Sequence, residues 1–493
     1  MHRSHARAAA ATRPRLNGRS PAGDRDRSWR RVVLTIGAVA LVISLDTTVN
    51  IAFPAITAAF TLRVSEIQWV VISYVLTYAS LLLATGRLGD VVGHRRVLLS
   101  GLGLTAAGVG LCGLAPGFGL FLAARVVQGC GAALVLGAAP ALVTLAAPES
   151  ERSRALGGFQ MGTALGLCIG PALGGLLLRW TSWRSVYLFR VPLALVLIAA
   201  VVVVVPSVPR PRGSRRAALV RELDIAGAAA LAGGLASGLL AVSRVRAAGW
   251  GSPLVVAGLV AAAVLLTVWV RIERRGTHPT VDLGLFRHGP FTLANALNLV
   301  ANGTMFAIWL LSPYYLIDVR GLSTVAGGLV LGASPLATAL VAPLAGRLDG
   351  RVSTGRLCTL GLIVEAGGLA AVVRVGSETP LLAVGAAFAL VGAGLGLFTV
   401  PNLSYVMGSL ERARQGVAGG LAQMTRTVGI VAGVAFTSLF FDARRAGHAA
   451  RLAVPTADAG AFVAAFRDTF VLVAALCAVA AIVSALRPPR ALA

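Results

Sequence analysis

The sequence contains no lysine, and charged residues of both signs make up only 13% of the chain. A soluble domain carries about 25% charged residues. This chain is 57% hydrophobic and has a mean hydropathy of +0.81. It therefore has too little polar surface to be an ordinary soluble enzyme or a disordered protein. Its five cysteines lie in apolar stretches and form no C-x-x-C pair, so neither a zinc site nor a disulfide framework is expected.

The sequence also lacks the short motifs that carry soluble catalysis. It contains no nucleophile elbow, no P-loop and no cluster of metal-ligand residues. The missing P-loop argues against ATP as an energy source. We therefore expect a protein that is not an enzyme and that binds no metal or cofactor.

Long apolar runs dominate what is present. One membrane span needs about 20 apolar residues, and the sequence divides into fourteen such runs, which predicts an all-α polytopic membrane protein. The predicted spans are approximately 32–54, 68–86, 97–115, 119–145, 155–178, 186–206, 225–243, 253–270, 291–316, 324–345, 357–373, 381–401, 415–440 and 468–486.

The arginines indicate how these spans are oriented. With the N-terminus inside, 30 of the 44 arginines fall in inside segments and 11 in outside loops. This satisfies the positive-inside rule and predicts a multi-pass protein of the cell membrane with both termini cytoplasmic. Topology thus accounts for most of the net charge of +25, and we expect no nucleic-acid partner.

Two polar loops divide the chain into parts. We predict a disordered cytoplasmic tail over residues 1–31, a six-helix bundle over 32–206, and a linker with two additional spans over 207–290. A second six-helix bundle over 291–487 precedes a short tail, 488–493. The sequence GRLGD at residues 86–90 has an echo, GRLDG, at residues 346–350, which is typical of two related halves.

Two opposite charges lie inside predicted spans at similar depth. Asp46 is in the first span and Arg125 is in the fourth. A charge at membrane depth costs about 2.5–3.5 kcal/mol on insertion scales, so it needs a partner, water or a proton. A contact between the two, directly or through Gln128, would meet this need. One interpretation is a proton-coupling pair; the other is an ion pair that only holds helices together.

Two further motifs suggest moving parts. The loop at residues 86–96 combines glycines that permit a tight turn with charged side chains. It is interpreted either as an inner gate or as a solvated loop. The fifth predicted span carries glycines four residues apart, which lets another helix pack closely, followed by a proline that permits a kink. The stripe consists of Gly162, Gly166, Gly170, Pro171 and Gly174.

Taken together, these motifs resemble the major facilitator superfamily, and in particular its fourteen-span drug:proton antiporters of the QacA/EmrB type. The matching segments are residues 46–54, 86–96, 125–131, 162–175, 183–192 and 223–227. The resemblance implies two six-helix bundles plus two extra helices, alternating access, and export driven by proton entry. It implies that Asp46 and Arg125 couple protons and that the glycine stripe is the antiport signature. It also implies an inner gate formed by Gly86, Arg87, Asp90, Gly93, Arg95 and Arg96.

The sequence departs from this pattern at three positions. Arg190 stands where such proteins usually have Asn, Ile317 stands where Gln is usual, and the acid of the second-half loop is shifted to Asp349. These departures weaken any transfer of substrate contacts to the C-terminal half. Glu365, in the eleventh span, reads as a structural residue or as a second coupling residue. Arg426 could bind an anionic group or pair with an acid.

Polar residues in the predicted spans are the candidates for a substrate cavity. They are Asn50, Gln128, Asn298, Asn302, Gln423 and Arg426. The leading hypothesis is proton-coupled efflux of amphipathic small molecules, such as drugs or antibiotics, by a monomer whose partners are its substrate, protons and the lipid bilayer. The alternatives are a dedicated exporter of a lipid, siderophore or secondary metabolite, and a transport-inactive membrane sensor.

Overall fold

The computed structural model describes most of the chain, and the architecture is all-helical. The described residues are 22–148, 151–206, 225–249, 251–275, 288–348, 351–376, 378–408, 415–452, 455 and 458–486. Residues 1–21 of the predicted N-terminal tail, the predicted C-terminal tail, and the loops on either side of the two additional spans lie outside these ranges. Residues 22–31, predicted as part of the disordered tail, are helical instead and begin the first helix.

The helices of the N-terminal half include one that is interrupted. A 3-10 turn, Leu45–Thr47, follows the first long helix and separates it from two short ones. The helices are α1 Ala22–Ser44, α2 Thr48–Ile51, α3 Phe53–Ala59, α4 Gln68–Val92, α5 His94–Leu114, α6 Phe118–Ala146, α7 Arg152–Trp180, α8 Ser185–Leu188 and α9 Arg190–Val204.

The rest of the described chain consists of a helix pair and a second set of long helices. The pair is α10 Ile225–Ala248 and α11 Pro253–Arg275. The second set is α12 Gly289–Tyr314, α13 Thr324–Leu348, α14 Thr354–Val373, α15 Leu381–Gly408, α16 Gln415–Leu452 and α17 Ala459–Ala485, with a π-helical turn, Tyr315–Val319, after α12.

Twelve helices in the described ranges are long and apolar enough to cross a membrane. The structure therefore does not support the predicted count of fourteen. The two that fall short are α4 and α10, whose described apolar segments are Gln68–Leu82 and Ala229–Gly238, each below 18 residues. Both helices continue beyond these segments: α4 runs to Val92, and α10 runs from Ile225 to Ala248.

Large apolar side chains remain exposed on the outer faces of these helices. Val203 on α9 is 83% exposed and Leu382 on α15 is 87% exposed, and many leucines and valines on other helices behave likewise. Contiguous apolar surface of this kind is unfavourable in water and marks a surface that contacts lipid or protein. The bundle thus presents an apolar exterior around an interior that holds its buried polar residues.

The helices pack as two groups that meet along two helix pairs. In the first group α5 packs on α6 and α1 packs on α7; in the second, α14 packs on α15 and α12 packs on α16. The two groups meet where α7 contacts α13 and where α4 contacts α16. The pair α10 and α11 packs mainly on itself, and α10 also touches α4 and α16.

Hydrogen bonds join the two groups at one end of the bundle. The hydroxyl of Thr324 donates to the carbonyl oxygen of Gly175 at 2.7 Å, and the hydroxyl of Ser438 donates to the side-chain oxygen of Gln68 at 2.9 Å. The hydroxyls of Thr57 and Tyr314 lie 2.6 Å apart. All three bonds lie at the end where α3, α7 and α12 terminate and α4 and α13 begin, so the halves are closed together at that end.

The glycine stripe of α7 is where the backbone of α1 comes closest. Each glycine faces a backbone or side-chain atom of the first helix or of the turn that follows it. The facing pairs are Gly162 with Gly37, Gly166 with Leu41, Gly170 with Thr47 and Gly174 with Thr48. Further along α7, Gly175 and Pro171 are in close contact with Thr324 and Gly328 of α13. The stripe therefore permits close packing against the same half and, at its end, against the other half.

This packing predicts that one added methyl group lowers stability at one position of α7 and is tolerated at another. Gly166→Ala would place a Cβ against the carbonyl oxygen of Leu41 and 2.7 Å from the Cβ of Ser44. Overpacking of this kind costs about 1–3 kcal/mol. Thermal unfolding of the purified protein should show a lower midpoint. Gly157→Ala, on the same helix with nothing within 4 Å, is the control, and equal midpoints for both variants would contradict the close packing.

Candidate functional site

The break in the first helix positions an acidic residue in the interior. Asp46 is the central residue of the 3-10 turn Leu45–Thr47. The hydroxyl of Thr47 donates to the carbonyl oxygen of Ser44 at 3.1 Å and approaches that of Gly166 at 3.4 Å. Short polar side chains compete in this way with regular helical hydrogen bonds. The turn directs Asp46 toward α6 and α9, on which its hydrogen-bond partners lie.

Asp46 is the centre of a cluster with two arginines. Arg125 binds it through both terminal nitrogens, Nη1 to Oδ1 at 2.8 Å and Nη2 to Oδ2 at 3.0 Å. Nη1 of Arg190 donates to the same Oδ1 at 2.8 Å, and Nε2 of Gln128 does so at 2.9 Å. The arginine side chains are 2% exposed and that of Asp46 is 16% exposed. We call Asp46, Arg125, Gln128 and Arg190 the Asp46 cluster.

Arg125 makes two further hydrogen bonds. Its Nε donates to the carbonyl oxygen of Val70 at 2.9 Å, and Nη1 donates to Oε1 of Gln128 at 2.8 Å. The ring of Tyr74 lies 4.4 Å from its guanidinium carbon, a cation–π distance. Since both oxygens of Asp46 accept hydrogen bonds from arginine, the arrangement fits a carboxylate. A bidentate pair of this kind fixes geometry as well as charge.

Arg190 leaves the cluster with an excess positive charge. One carboxylate faces two guanidinium groups, and Nε and Nη2 of Arg190 are buried without a partner among the described residues, as is the hydroxyl of the neighbouring Tyr187. From the sequence, Arg190 is only a departure from the family pattern, and its contact with Asp46 was not predicted. The available signal was a charged residue inside the predicted span 186–206.

In the C-terminal half, the predicted polar residues form a ladder between α12 and α16. Nδ2 of Asn298 donates to the carbonyl oxygen of Ala422 at 2.8 Å, and Nδ2 of Asn302 donates to Oδ1 of Asn298 at 3.0 Å. Nε of Arg426 donates to Oδ1 of Asn302 at 3.2 Å. The asparagines are therefore used largely in joining two helices, and Arg426 ends the ladder.

The structure separates the other predicted cavity residues. Gln128 belongs to the Asp46 cluster, Asn50 is buried on α2, and Gln423 is half-buried on α16. These three candidates therefore lie on three different helices, α6, α2 and α16.

The predicted gate loop is a sharp turn between α4 and α5. Gly93 has a φ of +100°, a conformation that favours glycine. Nη2 of Arg95 donates to the carbonyl oxygen of Val202 on α9 at 2.7 Å, which is a bond within the same half, and Arg96 is exposed. The side chains of Arg87 and Asp90 lie outside the described part, as do Gly86 and Asp349.

Glu365 lies apart from the Asp46 cluster. Its side chain on α14 is 0% exposed, and its Oε1 accepts a hydrogen bond from the hydroxyl of Thr304 on α12 at 2.9 Å. Its Oε2 has no partner among the described residues. No described cation pairs with this carboxyl group, which fits a neutral acid that links two helices.

Comparison with known proteins identifies the class. The fold matches that of a bacterial homologue of the human lysosomal transporter Spinster, with a TM-score of 0.68 over 94% of this chain and 97% of that one, at 15% identity. The sequence pattern described as Major Facilitator Superfamily matches residues 34–434. The chain therefore belongs to the major facilitator superfamily, a family of multi-pass membrane transporters and not of enzymes.

Two relatives of named function cover most of the chain. The multidrug resistance protein Stp of Mycobacterium tuberculosis is 33% identical over 414 residues, which are 83% of this chain and 75% of that protein. The riboflavin transporter RibZ of Clostridioides difficile is 28% identical over 412 residues, 83% of this chain and 88% of that protein.

The charge count of the Asp46 cluster predicts a compensating pair of substitutions. Asp46→Asn would leave two buried guanidinium groups without a carboxylate, and breaking a buried pair costs about 3–5 kcal/mol. Asp46→Asn combined with Arg190→Asn restores the wild-type net charge of the cluster. We expect the double variant to unfold at a higher temperature than Asp46→Asn alone. A double variant no more stable than the single one would show that charge balance does not hold the cluster together.

Replacement of the carboxyl group by an amide at Glu365, unlike at Asp46, is not expected to lower the stability of the protein. Glu365→Gln keeps an acceptor for the Thr304 hydroxyl and removes a group that can ionise inside the bundle, so the unfolding midpoint should be equal or higher. Glu365→Leu should lower it, because Thr304 would lose this acceptor in a buried site. Thermal unfolding of both variants is the measurement. A midpoint of Glu365→Gln that falls as far as that of Glu365→Leu would refute the neutral-acid interpretation.

Proposed function

We propose that this protein exports amphipathic small molecules in exchange for protons, by alternating access between its two halves. The observation that carries the proposal is the Asp46 cluster, which places a doubly paired carboxylate at the helix break that packs against the α7 glycine stripe. The name of the relative Stp, a multidrug resistance protein, supports drugs or antibiotics as the cargo.

The contacts of the cluster suggest how a proton would change the structure. A proton that binds an oxygen of Asp46 removes the charge that holds Arg125 and Arg190. The turn Leu45–Thr47 touches α7 at Gly166 and Gly170, so a shift of the turn would move α1 against α7. Because the outer part of α7 also contacts α13 of the other half, that movement would reach the contact between halves. Release of the same proton from Asp46 on the opposite side re-forms the pairs.

The orientation and the number of spans belong to the same proposal. The arginine count places both termini in the cytoplasm of a cell-membrane protein, so the closed end faces the exterior and cargo enters from inside. Helices α4 and α10 would raise the number of spans from twelve to fourteen. Their 25 and 24 residues at a rise of about 1.5 Å per residue exceed the roughly 30 Å hydrocarbon core. The gate loop at residues 86–96 would then lie at the inner surface.

A second candidate keeps the fold and the mechanism but changes the cargo. RibZ, which matches a similar share of this chain, is named for the transport of one metabolite. A dedicated exporter of a single metabolite is therefore the alternative to a transporter with many substrates. Transport of one compound, and of no other in a chemically varied panel, would favour the dedicated exporter.

The energy source can be tested without any substitution. Inside-out vesicles containing the protein are given an acidic interior, and cationic, neutral and anionic amphipaths are added in turn. We expect an active compound to accumulate inside and to raise the internal pH, since each cargo molecule exchanges for a proton. Nigericin, which dissipates the pH gradient, should abolish accumulation. Accumulation that survives nigericin would exclude exchange with protons as the driving reaction.

The role of Asp46 requires a variant in which folding is preserved. Arg190→Asn leaves the bidentate pair of Asp46 and Arg125 in place. The double variant, Asp46→Asn with Arg190→Asn, differs from it only by the loss of the Asp46 carboxylate. We expect Arg190→Asn to retain substrate-evoked alkalinisation and the double variant to lose it at equal levels of inserted protein. Glu66→Gln, in an exposed pair with Arg63, is the surface control. Full activity of the double variant would remove Asp46 from the coupling path.

A further inference from the structure

The charges described between the two halves are unbalanced. In the N-terminal half, Asp46 forms ion pairs with two arginines, so it offers no free carboxylate to a cationic cargo. In the C-terminal half, Arg426 on α16 forms no ion pair with any described carboxylate. Glu365 is enclosed between α12 and α14 and bonds to Thr304. The described interior between the halves therefore carries an excess of positive charge.

Arg426 is placed to bind a group that comes from outside the protein. It is half-buried, and its Nε donates to Oδ1 of Asn302, which fixes the plane of the guanidinium group. Its two terminal nitrogens make no hydrogen bond to a described residue, and neither is among the fully buried atoms without a partner. They therefore remain accessible. A guanidinium group anchored at Nε with both terminal nitrogens free matches a carboxylate or sulfonate in two-point geometry.

An aromatic pair lies between this arginine and the Asp46 cluster. The rings of Tyr74 and Tyr78 on α4 are 5.3 Å apart in an edge-to-face arrangement. Tyr74 lies against Arg125 of the cluster, and Arg426 and Thr427 of the other half are neighbours of Tyr78. Tyr74 is buried and Tyr78 is half-buried, so Tyr78 supplies the accessible aromatic surface of the pair. Aromatic side chains combine large contact area with defined geometry for another ring.

We propose that Arg426 binds an anionic group of the cargo, a carboxylate or sulfonate on a planar aromatic molecule whose rings pack against Tyr78. The cargo class is therefore acidic aromatic amphipaths. This inference rests on the proposed function as an exporter and adds the charge of the molecule exported. Asn302 is a positioning residue, because it holds Nε of Arg426 and leaves the other nitrogens to the cargo.

Two dyes with the same ring system and opposite charge provide the test. Fluorescein is anionic and rhodamine 123 is cationic, and both contain a xanthene ring. Binding to the purified protein in lipid nanodiscs is measured by fluorescence anisotropy at constant pH, without any gradient. We expect fluorescein to bind and rhodamine 123 to bind at least tenfold more weakly. Stronger binding of rhodamine 123 would overturn the proposal.

Variants of Arg426 assign the effect to this site. Arg426→Gln should weaken fluorescein binding by about tenfold or more, since hydrogen bonds to charged groups contribute well above the neutral ones, and should leave rhodamine 123 unchanged or improved. Arg426→Lys keeps the charge and should weaken fluorescein less. Arg356→Gln, at an exposed arginine of α14, is the control. Fluorescein affinity that does not change in Arg426→Gln would place the anion elsewhere and refute the assignment.

The outcome is separable from that of the proposed function. If fluorescein binds through Arg426 but does not accumulate in vesicles with a pH gradient, the inference about charge holds and proton-coupled export fails. If rhodamine 123 accumulates in a nigericin-sensitive manner and fluorescein does not bind, export holds and the inference fails. Binding and accumulation of fluorescein, both reduced in Arg426→Gln, support the two together.

Discussion

The burial of one carboxylate between two guanidinium groups is the constraint on which the rest of this structure depends. Charges at membrane depth are expensive, and a buried pair is stable only if its geometry and its remaining hydrogen bonds are well satisfied. Arg125 meets this requirement through four hydrogen bonds and an aromatic face. The 3-10 turn, the helix α6 and the start of α9 are arranged around that requirement.

The glycine stripe of α7 and the Asp46 cluster are parts of one assembly. The stripe lets α1 approach α7 so closely that the turn carrying Asp46 touches Gly166 and Gly170. The same helix then contacts α13 across the interface between the halves. The charged site and the contact between halves are therefore connected through a single helix, and the proposal that relates protonation to alternating access rests on this connection.

The two halves use their polar residues differently. The N-terminal half concentrates charge at Asp46, and both carboxylate oxygens of Asp46 accept hydrogen bonds from the cluster. The C-terminal half uses amides in a helix-joining ladder that ends in Arg426, whose terminal nitrogens stay free. The N-terminal half thus holds a carboxylate that is paired with two arginines, and the C-terminal half holds an arginine without an ion pair to a described carboxylate. Tyr74 and Tyr78 lie between these two groups.

Composition and motif spacing by themselves determined the helical membrane class, the two-part plan and the residues Asp46, Arg125 and Gly162–Gly174, because apolar runs, buried charges and glycine periodicity are local properties of a sequence. The count of fourteen spans went beyond the twelve long apolar helices found among the described residues. Only the tertiary structure decided that Arg190 joins the Asp46 cluster, that Asn298 and Asn302 join helices, and that Arg426 keeps free donors. These depend on which helix faces meet, and residues 79 to 144 positions apart are brought together by packing that no local pattern encodes.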